Sequence, residues 1–305
     1  MENPLELTCR EGFERVFIPI EISNTLDLKN PNQLKVYCLD TDSSKISYES
    51  LIRFIQKNID KYVFSRVKID KYIQNNESNL LAYDASTYLR EIKDNDDSGK
   101  GGELGEILLY IFLESVCNAP KLLSKYELKT SNNHYVHGAD AVHLLYMEND
   151  GRPRYQLIIG EAKTISELKI AIDKAFISIG SCDKRKEIEL IESAVLGCQF
   201  NDEATEVIKK LFIPNERDLT LSYDTAYGIF IGYSINIADD IPNSEFQSKV
   251  IQQVKSDVEN IVPHIMKKIE QYGLSSHSFY IYILPFNNVT NDRADIMRKI
   301  RRSEP

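Results

Sequence analysis

The alternation of apolar and polar positions divides the chain into short strands and longer helical faces. Val16, Ile18, Ile20 and Ile22 alternate with Phe17, Pro19 and Glu21, which predicts a strand. Pro19 cannot donate to a ladder, so that strand belongs near a sheet edge. Leu34, Val36 and Cys38 predict a second strand. Ser47 then precedes a run with Leu51, Ile52, Ile55, Ile59, Tyr62 and Val63 on one helical face. Residues 67–73 fit either element, and residues 84–93 predict a short helix. A polar, glycine-rich stretch from Asp94 to Gly102 is the best boundary in the chain. It separates an α+β region, residues 1–95, from a larger domain, residues 96–305.

The pattern beyond that break is more regular. A helix is expected from Glu103 to Cys117, with Leu104, Ile107, Leu108, Ile111 and Phe112 on a broad apolar face. Tyr126 to Thr130 predicts a strand. Two alternating apolar runs then flank Asn149-Asp150-Gly151, and Asp-Gly between such runs is a strong hairpin signal. With Asp150 and Gly151 as the central turn residues, Asn149 faces Arg152 and Asp140 faces Glu161. Pro153 leaves a longer loop and a slipped register as the alternative. Ser166 is the expected N-cap of a helix carrying Leu168, Ile172, Ala175, Phe176 and Ile179. Residues 186–196 and 203–212 read as helices, and Ala226 to Ile235 and Phe279 to Leu284 as strands. Ser244 to Tyr272 reads as a long helix that Pro263 should kink or break, and Asp292 to Arg302 as a basic helix. The order of the larger domain is helix, three-stranded meander, helix and further strands, an α/β arrangement.

The hairpin register gives this pattern chemical content. Residues opposed across a hairpin point to one face, and Lys163, two residues past Glu161, shares that face. Asp140, Glu161 and Lys163 would therefore gather at one end of the hairpin. Two like charges opposed on a sheet are destabilising. A divalent metal between the carboxylates turns that cost into a binding site, and Mg²⁺ prefers one or two carboxylates with water and phosphate oxygens. A lysine beside it could activate water or hold a phosphate. The plainer alternative is an ion pair on a solvated strand end. On the preceding helix, Glu106 adjoins the apolar stripe, where an acid needs a partner or a metal. Glu103, one turn earlier, fits the first turn of a helix as a dipole partner.

Charge and composition narrow the choice. The 305 residues are 42% hydrophobic and 27% charged, with 37 Lys plus Arg against 46 Asp plus Glu and a net charge of −9. Such a chain does not hold nucleic acid by bulk charge, so action on DNA needs a local basic strip, a metal or a partner chain. Basic clusters stand at Lys184-Arg185-Lys186 and at Arg298, Lys299, Arg301 and Arg302. The five cysteines, Cys9, Cys38, Cys117, Cys182 and Cys198, are scattered, which predicts reduced thiols in the cytoplasm. No signal peptide or membrane span is expected. His134, His137 and His143 cluster near Asp140, but His143 alternates to the other strand face and no zinc motif accompanies them. His137 remains a candidate for positioning phosphate or water. Gly99-Lys100-Gly101-Gly102 lacks the spacing of a phosphate-binding loop, and no Gly-x-Ser-x-Gly elbow is present.

Gly102-Glu103-Leu104-Gly105-Glu106 on the helix, Gly138-Ala139-Asp140, and Gly160-Glu161-Ala162-Lys163 together resemble the PD-(D/E)xK nuclease superfamily. The stretch from Gly102 to Tyr110, with the chain length, resembles the HamA family, the nuclease subunits of Hachiman anti-phage defence systems. The motif likeness covers roughly residues 102–180. It implies a restriction-endonuclease-like core preceded by a small α+β region, and a Mg²⁺- or Mn²⁺-dependent phosphodiesterase acting on DNA. By that resemblance Asp140 and Glu161 bind the metal, Lys163 handles water or the scissile phosphate, and Glu106 supports the metal, with Glu103 as the alternative helix acid. It further implies a helicase partner of the HamB kind, with residues 1–95 as a candidate partner-binding region. The first acid lacks the nominal proline before it. The alternative function is a nuclease-like regulatory subunit of a helicase complex with no catalysis of its own.

Overall fold

The structure is a computed structural model, describing residues 5–9, 11–23, 26–28, 30, 33–94, 102–124, 138–149, 152–197, 200–218, 221–237 and 241–301. The N-terminal part supplies β1 (Ile18–Ile20), β2 (Gln33–Cys38), a small ribbon β3 (Thr41–Asp42) and β4 (Lys45–Ile46), then α1 (Glu49–Val63), α2 (Arg66–Gln74) and α3 (Leu81–Asp94). After the polar break come α4 (Glu103–Ser115), the hairpin β5 (Ala141–Asn149) and β6 (Arg152–Thr164), then α5 (Leu168–Ser181), α6 (Lys184–Leu196) and α7 (Asp202–Phe212). The chain closes with β7 (Ser222–Ser234), α8 (Asn243–Gln271), β8 (Ser278–Phe286) and α9 (Val289–Arg301).

Six strands form one mostly parallel sheet in the order β1-β2-β8-β7-β6-β5. The ladders β2–β8, β8–β7 and β7–β6 are parallel, and the two outer ladders are antiparallel. β1 is an edge strand, as Pro19 required. β8 is buried throughout and β7 from Ala226 to Tyr233, which fits central parallel strands covered on both faces. The expected strand at 126–130 lies outside the described residues, as does most of the expected break at 94–102.

That break does not separate two cores. β2 pairs with β8, with Gln33 opposite Tyr280 and Val36 opposite Ile283. One hydrophobic cluster contains Phe17, Phe54 and Phe64 together with Phe112, Phe230 and Phe286. The N-terminal α+β region therefore completes the sheet that the rest of the chain begins. A buried carboxylate ties the two parts together. Glu114 at the end of α4 accepts the backbone N–H groups of Thr8, Cys9 (3.2 Å) and Lys121 (2.9 Å), with the Arg66 guanidinium at 3.7 Å. Such multiple charge-assisted bonds are what a carboxylate needs in order to be buried.

Two helix expectations change. Ser166 is not the N-cap of α5; Glu167 occupies that position and makes no side-chain cap bond. Pro263 does not break α8, which continues for 29 residues. Pro263 lies on the exposed side of that helix, where its missing N–H exposes a carbonyl to water and not to the core.

Strand β6 has two distinct faces. A Cβ on Gly105 of α4 would stand 3.2 Å from Ala162 and Thr164, and a Cβ on Gly160 would stand 2.8 Å from Leu109 of α4 and from Ala141. Gly160, Ala162 and Thr164 thus face α4. The odd-numbered residues face the other way, where Leu157 and Tyr155 join Ile191, Ile208 and Phe212 of α6 and α7 in a second cluster.

Gly160→Ala should lower stability by about 1–3 kcal/mol, because the added methyl overpacks both Leu109 and Ala141. Urea unfolding with an unchanged m-value measures it.

Candidate active site

The hairpin register matches the expected one residue by residue. Pairing runs from Asn149↔Arg152 to Ala141↔Gly160, and Pro153 sits within it, opposite Glu148. Proline is tolerated there because pairing with β7 begins only at Arg154. At Asp140 the ladder stops, one step short of the expected pair with Glu161. The Asp140 N–H donates to the Gly160 carbonyl at 2.8 Å. Its carboxylate accepts the Ala162 N–H at 2.9 Å. A side-chain oxygen thus takes the role that a ladder carbonyl would have had, and this fixes the Asp140 rotamer.

Glu161 and Lys163 point to the face away from α4. Lys163 Nζ donates to Glu161 Oε1. The Glu161 side chain is 10% exposed and that of Lys163 is 24% exposed, so the pair is half-sheltered. Burial first, and then the Asp140 carboxylate, raise the Glu161 carboxyl from its ordinary 4.5 to about 7. Lys163 and a hydrogen bond from Ser178 of α5 pull it down but do not win. Asp140 and Glu161 share a cleft of about 340 Å³ between the sheet end, the last turn of α5 and the first turn of α6. Ser178, Cys182, Asp183, Lys186 and Glu187 line the opposite wall.

The structure brings Asp140, Glu161 and Lys163 together and leaves the helix acids elsewhere. Glu106 stands on α4, on the other face of β6, with its carboxylate 3.4 Å from the Tyr62 hydroxyl. Glu103 pairs with Arg301 of α9. Neither lines the cleft. α4 packs on the even-numbered face of β6, opposite the face that carries the Glu161 side chain. His137 lies outside the described residues. His143 is buried on the α4 face, its Nδ1 is 2.7 Å from the Ala119 carbonyl, and burial lowers its pKa to about 3. It is a neutral core histidine. Among the described residues no three His, Cys, Asp or Glu side chains are grouped as a complete metal cage.

Glu187 escaped the sequence reading. It sits in the first turn of α6, is 1% exposed, and accepts the Ala139 N–H at 2.7 Å. It therefore holds the backbone immediately before Asp140. Only its place at the border of the apolar face of α6 could have flagged it.

A model of the HamA family matches residues 14–300. The chain belongs to the HamA family. Membership carries a role in Hachiman defence. No curated protein matches. Among the described residues no helix is long and apolar enough to cross a membrane.

Two outcomes follow from this geometry. Between pH about 4.5 and 7 the folded chain binds the Glu161 proton more tightly than the unfolded chain does. Its contribution to stability is therefore present at low pH and lost as pH rises through about 7. In metal-free buffer, Glu161→Gln should flatten the fall in the urea midpoint between pH 5 and pH 8. Glu187→Ala should leave the Ala139 N–H without its acceptor and cost about 1–3 kcal/mol, whereas Glu187→Gln keeps an acceptor oxygen and should cost much less.

Proposed function

We propose that this HamA family member is a metal-dependent DNA nuclease, the cutting subunit of its defence system. The observation that carries the reading is the cleft in which Asp140 stands beside a Glu161 carboxyl driven up to about 7. Two acids in one half-buried place, only partly neutralised by Lys163, form a site that a cation would stabilise. Two carboxylates open to a cleft fit the habit of Mg²⁺, or Mn²⁺, better than that of zinc, which takes nitrogen and sulfur ligands in closed sets. In this reading Asp140 and Glu161 hold the ion. When bound, the ion would stabilise charge developing on a phosphodiester and favour attack by water.

The chain's own groups do the rest. The Ala162 N–H and the Ala139–Glu187 bond keep the Asp140 oxygen in place before any ligand arrives. Lys163 donates to the Glu161 carboxylate, which lines the cleft. When Glu161 turns to a cation, the Lys163 ammonium is freed to orient water or to hold a non-bridging phosphate oxygen. Ser178 of α5 bonds to Glu161 and lines the same cleft, which is where a substrate approaches in this reading.

A chain of net charge −9 is a poor DNA grip by itself. We assign that task to a helicase subunit that delivers the DNA. In this reading the contact with that partner falls on residues 1–95, where Ile73, Leu80 and Tyr83 leave large apolar side chains exposed. The buried thiols of Cys9, Cys38 and Cys117 support a reducing, cytoplasmic setting.

Plasmid and linear DNA incubated with Mg²⁺ or Mn²⁺, with and without the helicase, should be cut by the wild type. Lys163→Ala and Glu161→Gln should lose at least 100-fold in rate, the scale of losing one charge-stabilising group, with unchanged circular dichroism. Wild type and folded variants equally inert in every condition would favour a regulatory subunit without catalysis. Equal cutting by both would move the site elsewhere.

A further inference from the structure

α6 opens with Lys184-Arg185-Lys186, directly after its N-cap Asp183. That order runs against the helix dipole, which favours acids at the N-terminus and cations at the C-terminus. The last turn of α6 carries no basic residue. The three cations are thus in the turn where they stabilise the helix least. Their surroundings do not explain them. Among the described residues, Arg185 pairs only with Asp183, Nε to Oδ1 at 3.5 Å, and keeps an 88% exposed side chain. Lys186 is exposed and is in no ion pair among the described residues. Lys184 lies with its ammonium 5.5 Å from the Tyr227 ring, and burial lowers its pKa.

Their position has a second aspect. Lys186 and Asp183 line the same cleft as Asp140 and Glu161. Glu187, the next residue, reaches across to Ala139. The basic turn is therefore bolted to the strand that carries the candidate ligands, at a fixed offset. A cleft with Asp140 and Glu161 on one wall and Lys186 on the other, with the exposed Arg185 beside it outside the cleft, suits a polyanion whose charge is spread along its length. The acids, once they hold a cation, take one phosphate, and the cations take its neighbours. We propose that the first turn of α6 is the DNA-backbone clamp of this site, with Arg185 and Lys186 contacting phosphates that flank the one in the cleft. The proposal rests on the nuclease reading above and adds to it where the strand lies: across the cleft from β6 towards α6.

The test is binding, separated from cutting. Fluorescently labelled duplex DNA is titrated with the full-length chain in Ca²⁺, which supports binding in place of Mg²⁺, at salt from about 50 to 200 mM. Wild type, Lys163→Ala and the double variant Arg185→Gln with Lys186→Gln are compared. Removing two phosphate contacts should make the slope of log K against log salt shallower by roughly 2, and weaken binding most at low salt. Lys163→Ala, which removes at most one phosphate contact, should make the slope shallower by no more than roughly 1. The double variant should melt no lower than wild type, since it removes cations from a helix N-terminus. An unchanged slope and affinity in the double variant would overturn the clamp, even if the wild type cuts DNA. So would a wild type that binds no DNA at low salt. A shallower slope in a protein that binds but never cuts would uphold the clamp and sink the nuclease reading instead.

Discussion

The arrangement depends on the unbroken pairing of β6 with both of its neighbours. On one side it pairs antiparallel with β5, and on the other it pairs parallel with β7 from Arg154↔Ser222 to Thr164↔Gly232 without a slip. An uninterrupted double ladder forces strict alternation of faces. Gly160, Ala162 and Thr164 must then face α4, where small residues allow a close helix, and Glu161 and Lys163 must face away. A single bulge in β6 would exchange the two sets, setting the charged residues against Leu109 and the small ones against the cleft. The glycines at 105 and 160 mark this constraint in space, since a side chain at either position would push the helix off the sheet.

With the faces fixed, electrostatics gives the site its character. Glu161 is buried beside another acid, and its lysine neighbour does not fully compensate for either effect. Asp140 differs: it is tied by a backbone N–H on each side of its role, one donated and one accepted. One carboxylate is thus rigid and the other is poised between protonated and ionised forms near neutral pH. A rigid acid next to an adjustable one is an economical way to receive an ion of preferred geometry, because only one ligand has to move.

Much of this was legible in the sequence, for identifiable reasons. Asp150-Gly151 set the register, and the side-chain period of two then placed Glu161 with Lys163 without further information. The apolar runs of β7 and β8 marked central strands. Other features were not legible, because they depend on contacts between distant segments. Glu106 adjoined the apolar stripe of its own helix, but nothing local told which face of β6 that helix would cover. Glu187 looks in sequence like any acid of a first helical turn, and only the fold brings Ala139 to it. The polar stretch near residue 96 was legible as a change of composition, whereas the pairing of β2 with β8 was not. Short strands such as β1 and β2 do not announce whether they build their own sheet or complete another.

The place of β2 in the sheet bears on how the chain comes to exist. Gln33 lies opposite Tyr280, so β2 waits for a strand that is synthesised long after it. Until β8 emerges, β7 has an open, apolar edge, and the N-terminal helices have no sheet to cover. Such long-range parallel pairing folds slowly, since the loop must close before any contact rewards it. A ribosome-bound or prematurely ended chain therefore carries Asp140, Glu161 and Lys163 on a hairpin without the finished frame around them.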